Sequence, residues 1–521
     1  MSQTTTPPLP PRRSIAAWAA LAAVLIVGFY TLTLALATAC VCLPYLWLTS
    51  QNSASLQVVV LFITGVVMAG TMLWSLVPRR EKFAPPGPRL EAARHPRLFA
   101  EIERLATSLN EPPPQEVYLI PEVNAWVAEP GGRGRRVMGL GLPLLQILTV
   151  SRFRAVLAHE FGHYYSGDTR LGPWVYKARA AMVRTLLGLG RPSAVLEAIT
   201  RFALARLAHL LVTRVLIAYW NLFLRITQRI SRRQELRADE LACSVAGSRA
   251  LMEGLQDIHR AAAAVPAYWG ELRQVLAAGY RPPIAQGFAR FMGADDIRKA
   301  LGTHLAKELA HPHTRPFDSH PPLRDRLLAA GRLPLGKEPE DDPPAISLIQ
   351  DVESLEGQLL QKLNPKQNVG NLKLAPWEDV GQNIYVPGWK AYVAEYAELL
   401  AGVTAGSLPE KVKGLPPMGD RIRDPKGMLL TREQRAQRAA DLLGAGCCLA
   451  LIANGWELHA QPGEFYLQHG TEQLQPFHLL RDLAAKKLTA QAWLERAHAL
   501  GIVDLCVGPN KAPDVPKLAT A

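Results

Sequence analysis

The chain has 521 residues, too many for one ordinary domain, so two or three folded units plus a membrane portion are expected. Its formal net charge of +13 calls for an acidic neighbour, either nucleic acid or an anionic membrane surface. Residues 151–240 hold 15 Lys and Arg against 6 Asp and Glu, interleaved with long apolar stretches. That pattern suits a bilayer surface, makes a poor nucleic-acid groove, and leads us to expect no nucleic-acid partner. The six cysteines are too few and too unevenly spaced for a disulfide framework. No C-x-x-C pair exists, so a cysteine zinc site is not supported and buried, reduced thiols are expected.

Residues 1–14 read as a disordered polar tail ending in Arg12 and Arg13. From Ile15 to Leu48 there is no charged residue, and about 20 apolar residues suffice to cross a hydrocarbon core. A second uncharged run, Leu56 to Val77, follows a polar connection, and then come Arg79, Arg80 and Lys82. Residues 15–78 are thus expected to form two transmembrane helices. Basic residues flank the outer ends of the pair and none lie between. The positive-inside rule therefore puts the N-terminus and everything after residue 78 in the cytoplasm, in a multi-pass protein of the cell (inner) membrane. A cleaved signal peptide, with Ala37-Thr38-Ala39 as its cleavage site, would have a much shorter apolar run of about 7–15 residues. A third apolar region, 202–224, contains Arg206, His209 and Arg214. On a helical wheel Arg206, Arg214, Asn221 and Arg225 share one side, which describes an amphipathic helix on the bilayer or roofing a domain better than a clean span.

After a linker at 84–88, Pro96 to Leu109 has helical periodicity, with Leu98, Ile102, Leu105 and Leu109 on one face. Short strands are expected at Val117–Ile120, Asn124–Ala128 and Arg136–Leu140, with Gly131–Gly134 turning between the last two. A helix then builds from Ser151 to Tyr164. The charged, proline-rich stretch Lys337–Pro344 reads as a linker, giving a unit at 84–335 and a separate, mostly helical C-terminal domain at 346–521. Helical patterns there include Trp389–Leu400, Arg432–Ile452 and Ala490–Leu500, and Trp456–Ala460 with Glu464–Gln468 reads as a hairpin. That domain shows no catalytic constellation, and a regulatory role or a protein partner is expected for it. The class expected is mainly α with a small β-sheet.

His159-Glu160-Phe161-Gly162-His163 falls inside the 151–164 helix. Histidines at i and i+4 stand one above the other, so both imidazoles can reach one Zn²⁺. Glu160 is placed beside the metal's open position, where it can take a proton from water attacking a peptide carbonyl. A chance H-E-x-x-H would more often sit on a polar helix, whereas these flanks are apolar. Zinc still needs a third protein ligand. The best candidate is Glu235, with Asp239 one turn later on the same face to hold the other ring nitrogen of a histidine ligand. Taken alone, Arg233–Glu240 would read as an ordinary charged surface helix.

With these residues in place, the sequence resembles the HtpX-like and CAAX-prenyl-protease-like membrane zinc metallopeptidases over roughly 90–330. The resemblance is carried by Val117–Ile120 with Asn124-Ala125-Trp126, by Gly139-Leu140-Gly141-Leu142, and by His159–His163 with Ser166-Gly167-Asp168. It continues in Glu235-x-x-x-Asp239 with Ala242, and in Ser319-His320-Pro321-Pro322-Leu323 with Arg326. It implies a zincin-type α+β metallopeptidase domain, one Zn²⁺ per chain held by His159, His163 and Glu235, and Glu160 as the catalytic base. It further implies Gly139, Leu140 and Gly141 as an edge strand on which substrate adds, and His320 near the metal as a lid or an oxyanion partner. The expected function is endoproteolysis of protein or peptide substrates in membrane protein quality control or processing, with the bilayer as a partner. The alternative is a proteolytically latent, zinc-binding chaperone or partner-binding membrane protein. The sequence departs from the prenyl-protein proteases in having two convincing spans rather than many.

Overall fold

The two uncharged runs fold into long helices, α1 (Ala16–Ser50) and α2 (Leu56–Leu76). They lie close because Gly65 of α2 has no side chain: a Cβ there would overlap the Cys40 carbonyl of α1. Two further helices join them, α6 (Gly172–Gly190) and the first half of α7 (Ala203–Ala246), around buried Phe29, Met72, Met182, Leu216 and Phe223. Val24, Leu43, Ile63, Trp74, Leu187 and Leu211 are exposed on the outside of the bundle. The computed structural model describes residues 16–50, 55–77, 83–130, 134–165, 172–190, 202–312, 320–337, 339–366, 368–423 and 430–508. The expected tail 1–14, Arg79, Arg80, Lys82, Gly131–Arg133, Ser166–Asp168 and Ser319 lie outside them.

Helix α6 was not anticipated from sequence. Lys177, Arg179 and Arg184 mask its apolar face, and Arg184 donates to the Ser75 carbonyl of α2 at 3.1 and 3.3 Å. The 202–224 region is a helix with Arg206, Arg214, Asn221 and Arg225 outward, as the wheel placed them. Instead of roofing a domain, its opposite side seals into the bundle through Val212, Leu216 and Phe223. It also continues unbroken as one helix of 44 residues with neither Gly nor Pro.

Between α2 and α6 the chain makes a four-stranded sheet from β1 (Arg89–Leu90), β2 (Glu116–Ile120), β3 (Ala125–Ala128) and β4 (Val137–Gly141), in the order β1-β2-β4-β3. β2 and β4 are parallel, while β3 runs antiparallel to β4. This corrects the expectation for Gly139, Leu140 and Gly141: β4 is paired on both sides, and the edge strand is β3. The glycines have a packing reason. A Cβ on Gly139 would collide with the Trp126 indole of β3, and one on Gly141 with the Glu122 carbonyl. Helix α3 (Pro96–Ser108) follows β1 and buries Leu98, Ile102 and Leu105. After β4 come α4 (Leu142–Ile147) and α5 (Val150–Tyr165).

Beyond α7 lie α8 (Ser248–Ala277), α9 (Ile284–Gly293), α10 (Asp295–Ala310), α11 (Leu323–Ala330) and α12 (Val352–Leu363). The chain packs as two units, Met1–Ala261 with Thr303–Leu363 and Ala262–Gly302 with Asn364–Ala521. The division therefore falls elsewhere than at the proline-rich stretch. Val150 N–H donates to the Pro343 carbonyl (2.9 Å), Ala345 N–H to Leu148 (2.8 Å), and Asp342 accepts from Ser151 N–H (2.8 Å). Those bonds fasten 342–345 to the start of α5.

The second unit packs around the helix Arg432–Ala453, whose Leu442, Leu443, Cys448 and Leu451 are buried with Trp456, Leu467 and Trp493. The expected hairpin is present as Glu457–Gln461 and Glu464–His469, with a third strand, Glu472–Leu474. Among the described residues four helices are long and apolar enough to cross a membrane: 20–50, 56–76, 203–246 and 432–453. Core packing accounts for the last. All six cysteines are free; Cys243, Cys447 and Cys448 are buried, but Cys42 and Cys506 are exposed. The whole is mainly helical with small sheets.

Candidate metal centre

Helix α5 is buried nearly all round, Phe153, Ala155, Val156, Leu157, Ala158 and Phe161 included, and its C-terminal turns meet the second half of α7. Gly162 sets their separation: a Cβ there would lie 2.9 Å from Ala238 Cα. This close crossing carries Glu235, one turn before Ala238, up to the two histidines. Ligand atoms of His159, His163 and Glu235 all lie within 4.8 Å of one another.

The distances suit a shared cation better than mutual hydrogen bonds. His159 Nε2 is 3.4 Å from Glu235 Oε2, and His163 Nε2 is 3.6 Å from Oε1. Donors placed tetrahedrally about zinc at ~2.0–2.2 Å would stand about 3.3–3.6 Å apart. His320 Nδ1 comes within 2.8 Å of Glu235 Oε2, but out of alignment, so that buried oxygen has no hydrogen bond. Two imidazoles and a carboxylate form a donor set zinc accepts, and the unbonded oxygen gives it something to bind.

Behind the cluster, Asp239 Oδ1 lies 2.9 Å from His159 Nδ1. Nδ1 is therefore the donor to Asp239, and Nε2 is turned toward Glu235. Arg326 of α11 grips Asp239 with both ends of its fork, Nε to Oδ2 at 2.8 Å and Nη2 to Oδ1 at 2.6 Å. It is 7% exposed, so this is a buried bidentate pair in which Asp239 keeps both oxygens committed. Sequence reading named Arg326 only as part of a motif and gave it no role. The available signal was an arginine one turn into a helix opened by Pro321-Pro322.

Electrostatics follow from this enclosure. Burial opposes charge on His159, yet the Asp239 and Glu235 carboxylates beside it prevail and raise it to about 9, so the pocket favours positive charge there. Burial, reinforced by the charge of His159, pushes His163 down to about 4 and keeps it neutral, as a ligand must be. Glu160 keeps a little exposed surface, and burial raises its carboxyl to about 7, near the range where a general base works best. His320 lies beside the centre with 63% of its side chain exposed.

β3 lies against α5. Gly141 N–H donates to the Asn124 carbonyl at 2.9 Å, which fixes the alternation along the pair. Trp126 and Ala128 turn their backbone groups to β4, while Ala125 and Val127 present theirs to the free edge. Gly139 to Gly141 are one strand away from that edge.

Residues 92–333, a little under half of the chain, match the model of peptidase family M48. The match bears out the resemblance drawn from the motifs, contains every residue of the centre, and supports a metallopeptidase. No curated protein matches the chain.

Proposed function

We propose, with the peptidase family M48 match of residues 92–333 as the premise, that this protein is a membrane-anchored zinc endopeptidase acting on protein substrates. The observation that carries the reading is the gathering of His159, His163 and Glu235 from two helices into one donor cluster, with Glu160 on the same turn. When bound, zinc supplies Lewis-acid polarisation of a peptide carbonyl and of the attacking water.

The chain's residues do the rest. His159, His163 and Glu235 hold the ion; Asp239, pinned by Arg326, keeps Nε2 of His159 aimed at it. Glu160 takes the proton from the attacking water and passes it to the leaving amine. An extended substrate adds to β3, where Ala125 and Val127 offer free backbone groups, and so lies beside α5. His320 covers the open side of the centre or donates to the developing oxyanion. The bundle of α1, α2, α6 and the first half of α7 is the anchor. The catalytic centre faces the cytoplasm, with substrates drawn from membrane protein quality control or processing.

Metal analysis of detergent-purified protein tests the ligand assignment. One zinc per chain is expected in wild type and in Glu160→Gln, with loss in His163→Ala and Glu235→Ala. Equal zinc in wild type and Glu235→Ala would remove Glu235 from the ligand set.

A further inference from the structure

The outward face of the first half of α7 carries charge where lipid would lie. Arg206, Arg214, Asn221 and Arg225 are exposed along it, with exposed Leu210 and Ile217 between them. At 3.6 residues per turn the four polar residues fall within an arc of about 100°, on the side away from buried Val212, Leu216 and Phe223. They point out of the bundle rather than into it.

This stretch of α7 lies alongside the apolar helices. A Cβ on Gly188 of α6 would stand 2.8 Å from the Thr71 side chain of α2. His209 Nε2 meets the next carbonyl along α6, that of Leu189, at 3.0 Å, and Tyr219 Oη donates to the Leu25 carbonyl of α1 at 2.6 Å. Arg206 and Arg214 sit on the helix these bonds fasten, eight residues apart, which is about 12 Å. A hydrocarbon layer of about 30 Å centred between them leaves each about 9 Å from the nearer surface, and any other placement over both sinks one deeper. An ionised side chain at such depth is costly unless it is paired. Among the described residues neither arginine has a hydrogen-bond or ion-pair partner.

The bundle supplies no counter-charge of its own. The described residues of α1, α2, α6 and α7 up to Gln234 include no Asp or Glu. Glu197, the one acid between Gly172 and Gln234, lies outside the described residues. A second copy docked face to face would set arginine against arginine, and a headgroup phosphate stays at the surface. What complements the face is a carboxylate carried within the layer by another membrane-crossing helix, whose two oxygens suit the guanidinium fork.

We propose that this face of α7 captures transmembrane segments that bear an Asp or Glu, and so selects membrane proteins with an unpaired acid in the bilayer as substrates. The inference rests on the peptidase and anchor readings and names the substrate class presented to that centre.

The test uses the full-length protein in phosphatidylethanolamine–phosphatidylglycerol vesicles. A photoreactive benzoylphenylalanine replaces Leu210, which is exposed midway between the two arginines. Reporters carry one leucine-rich transmembrane helix with Leu, Glu or Lys at its centre, joined to a casein-derived segment, and free casein is the soluble control. The expected result is at least tenfold more cross-linking of the Glu reporter than of the Leu or Lys reporter, with faster cleavage of it. Arg206→Leu combined with Arg214→Leu should bring Glu capture down to the Leu level. Arg206→Glu combined with Arg214→Glu should move the preference to the Lys reporter, a gain that misfolding does not produce. Three results overturn the docking face and leave the peptidase reading standing: equal capture of Glu and Leu reporters, Glu capture that survives loss of both arginines, or Glu capture seen only after Glu197→Gln. Capture of the Glu reporter with no cleavage of casein or of any reporter overturns the peptidase reading and leaves the docking face.

Discussion

Replacing Gly162 by alanine adds one methyl group where α5 crosses α7. The new Cβ would stand 2.9 Å from Ala238 Cα and 3.0 Å from Ala238 Cβ. Carbon atoms are comfortable at about 3.5–4.0 Å, so the helices must part by roughly 0.5–1 Å. Overpacking of this kind costs about 1–3 kcal/mol. Exchanging helical glycine for alanine returns about 1 kcal/mol, leaving a net loss of about 0–2 kcal/mol in stability. The metal centre is less tolerant than the fold. Ligand distances hold within about 0.2 Å, and a 1 Å misplacement of reacting groups costs on the order of 100-fold in rate. Since Glu235 rides on α7 one turn from Ala238, Gly162→Ala is expected to melt within a few degrees of wild type while losing ten- to hundredfold or more in zinc affinity and turnover. Chelator competition gives the affinity, casein cleavage the rate, and circular dichroism the melting point. Gly302→Ala, in α10 with open space around it, is the control and should leave zinc binding untouched. Wild-type zinc affinity in Gly162→Ala would refute the claim that this crossing sets the ligand geometry.

Arg326→Leu leaves Asp239 buried without its bidentate partner and is expected to destabilise by about 3–5 kcal/mol and to lower zinc affinity about 10–100-fold; thermal melts and metal titration read both. Asp342→Ala removes the acceptor at the start of α5 and should cost about 0.5–2 kcal/mol. Burial alone would raise the Asp342 carboxyl, but bonds from Ser151 and Thr149 outweigh it and hold it below the usual value. Its stabilisation is therefore full above the unfolded pKa of about 4 and lost as the pH falls below it, so the melting difference between the two proteins should close in acid. Chelation should lower the melting temperature of wild type, since free zinc at about 100 times its Kd adds about 2.7 kcal/mol to the folded state. No such drop is expected in Glu235→Ala.

The local parts of the site were legible in the sequence because they repeat at helical spacing. His159 and His163, and Glu235 and Asp239, are i and i+4 pairs, and each helix formed where the periodicity placed it. What depended on distant partners was not. The family resemblance implied that β4 is the edge strand, whereas it pairs with both β2 and β3, and strand order is set by contacts far apart in the chain. The proline-rich stretch has linker composition, yet Asp342 fastens it to the first unit by accepting from Ser151 at the start of α5. The arginines that made α6 and the first half of α7 look unfit for a bundle lie on outward faces or bond to a carbonyl, which composition does not show. Gly162 stood inside the motif as an unspecified position, and only the crossing with Ala238 gives it a role.

The central claim is peptide-bond hydrolysis with Glu160 as the base, and the most direct measurement is casein cleavage by purified wild type beside Glu160→Gln, with zinc counted in the same samples. The account predicts one zinc per chain in both, cleavage by wild type, and loss of cleavage in the variant. Undiminished cleavage by a zinc-loaded Glu160→Gln protein, or no zinc in wild type, would contradict it.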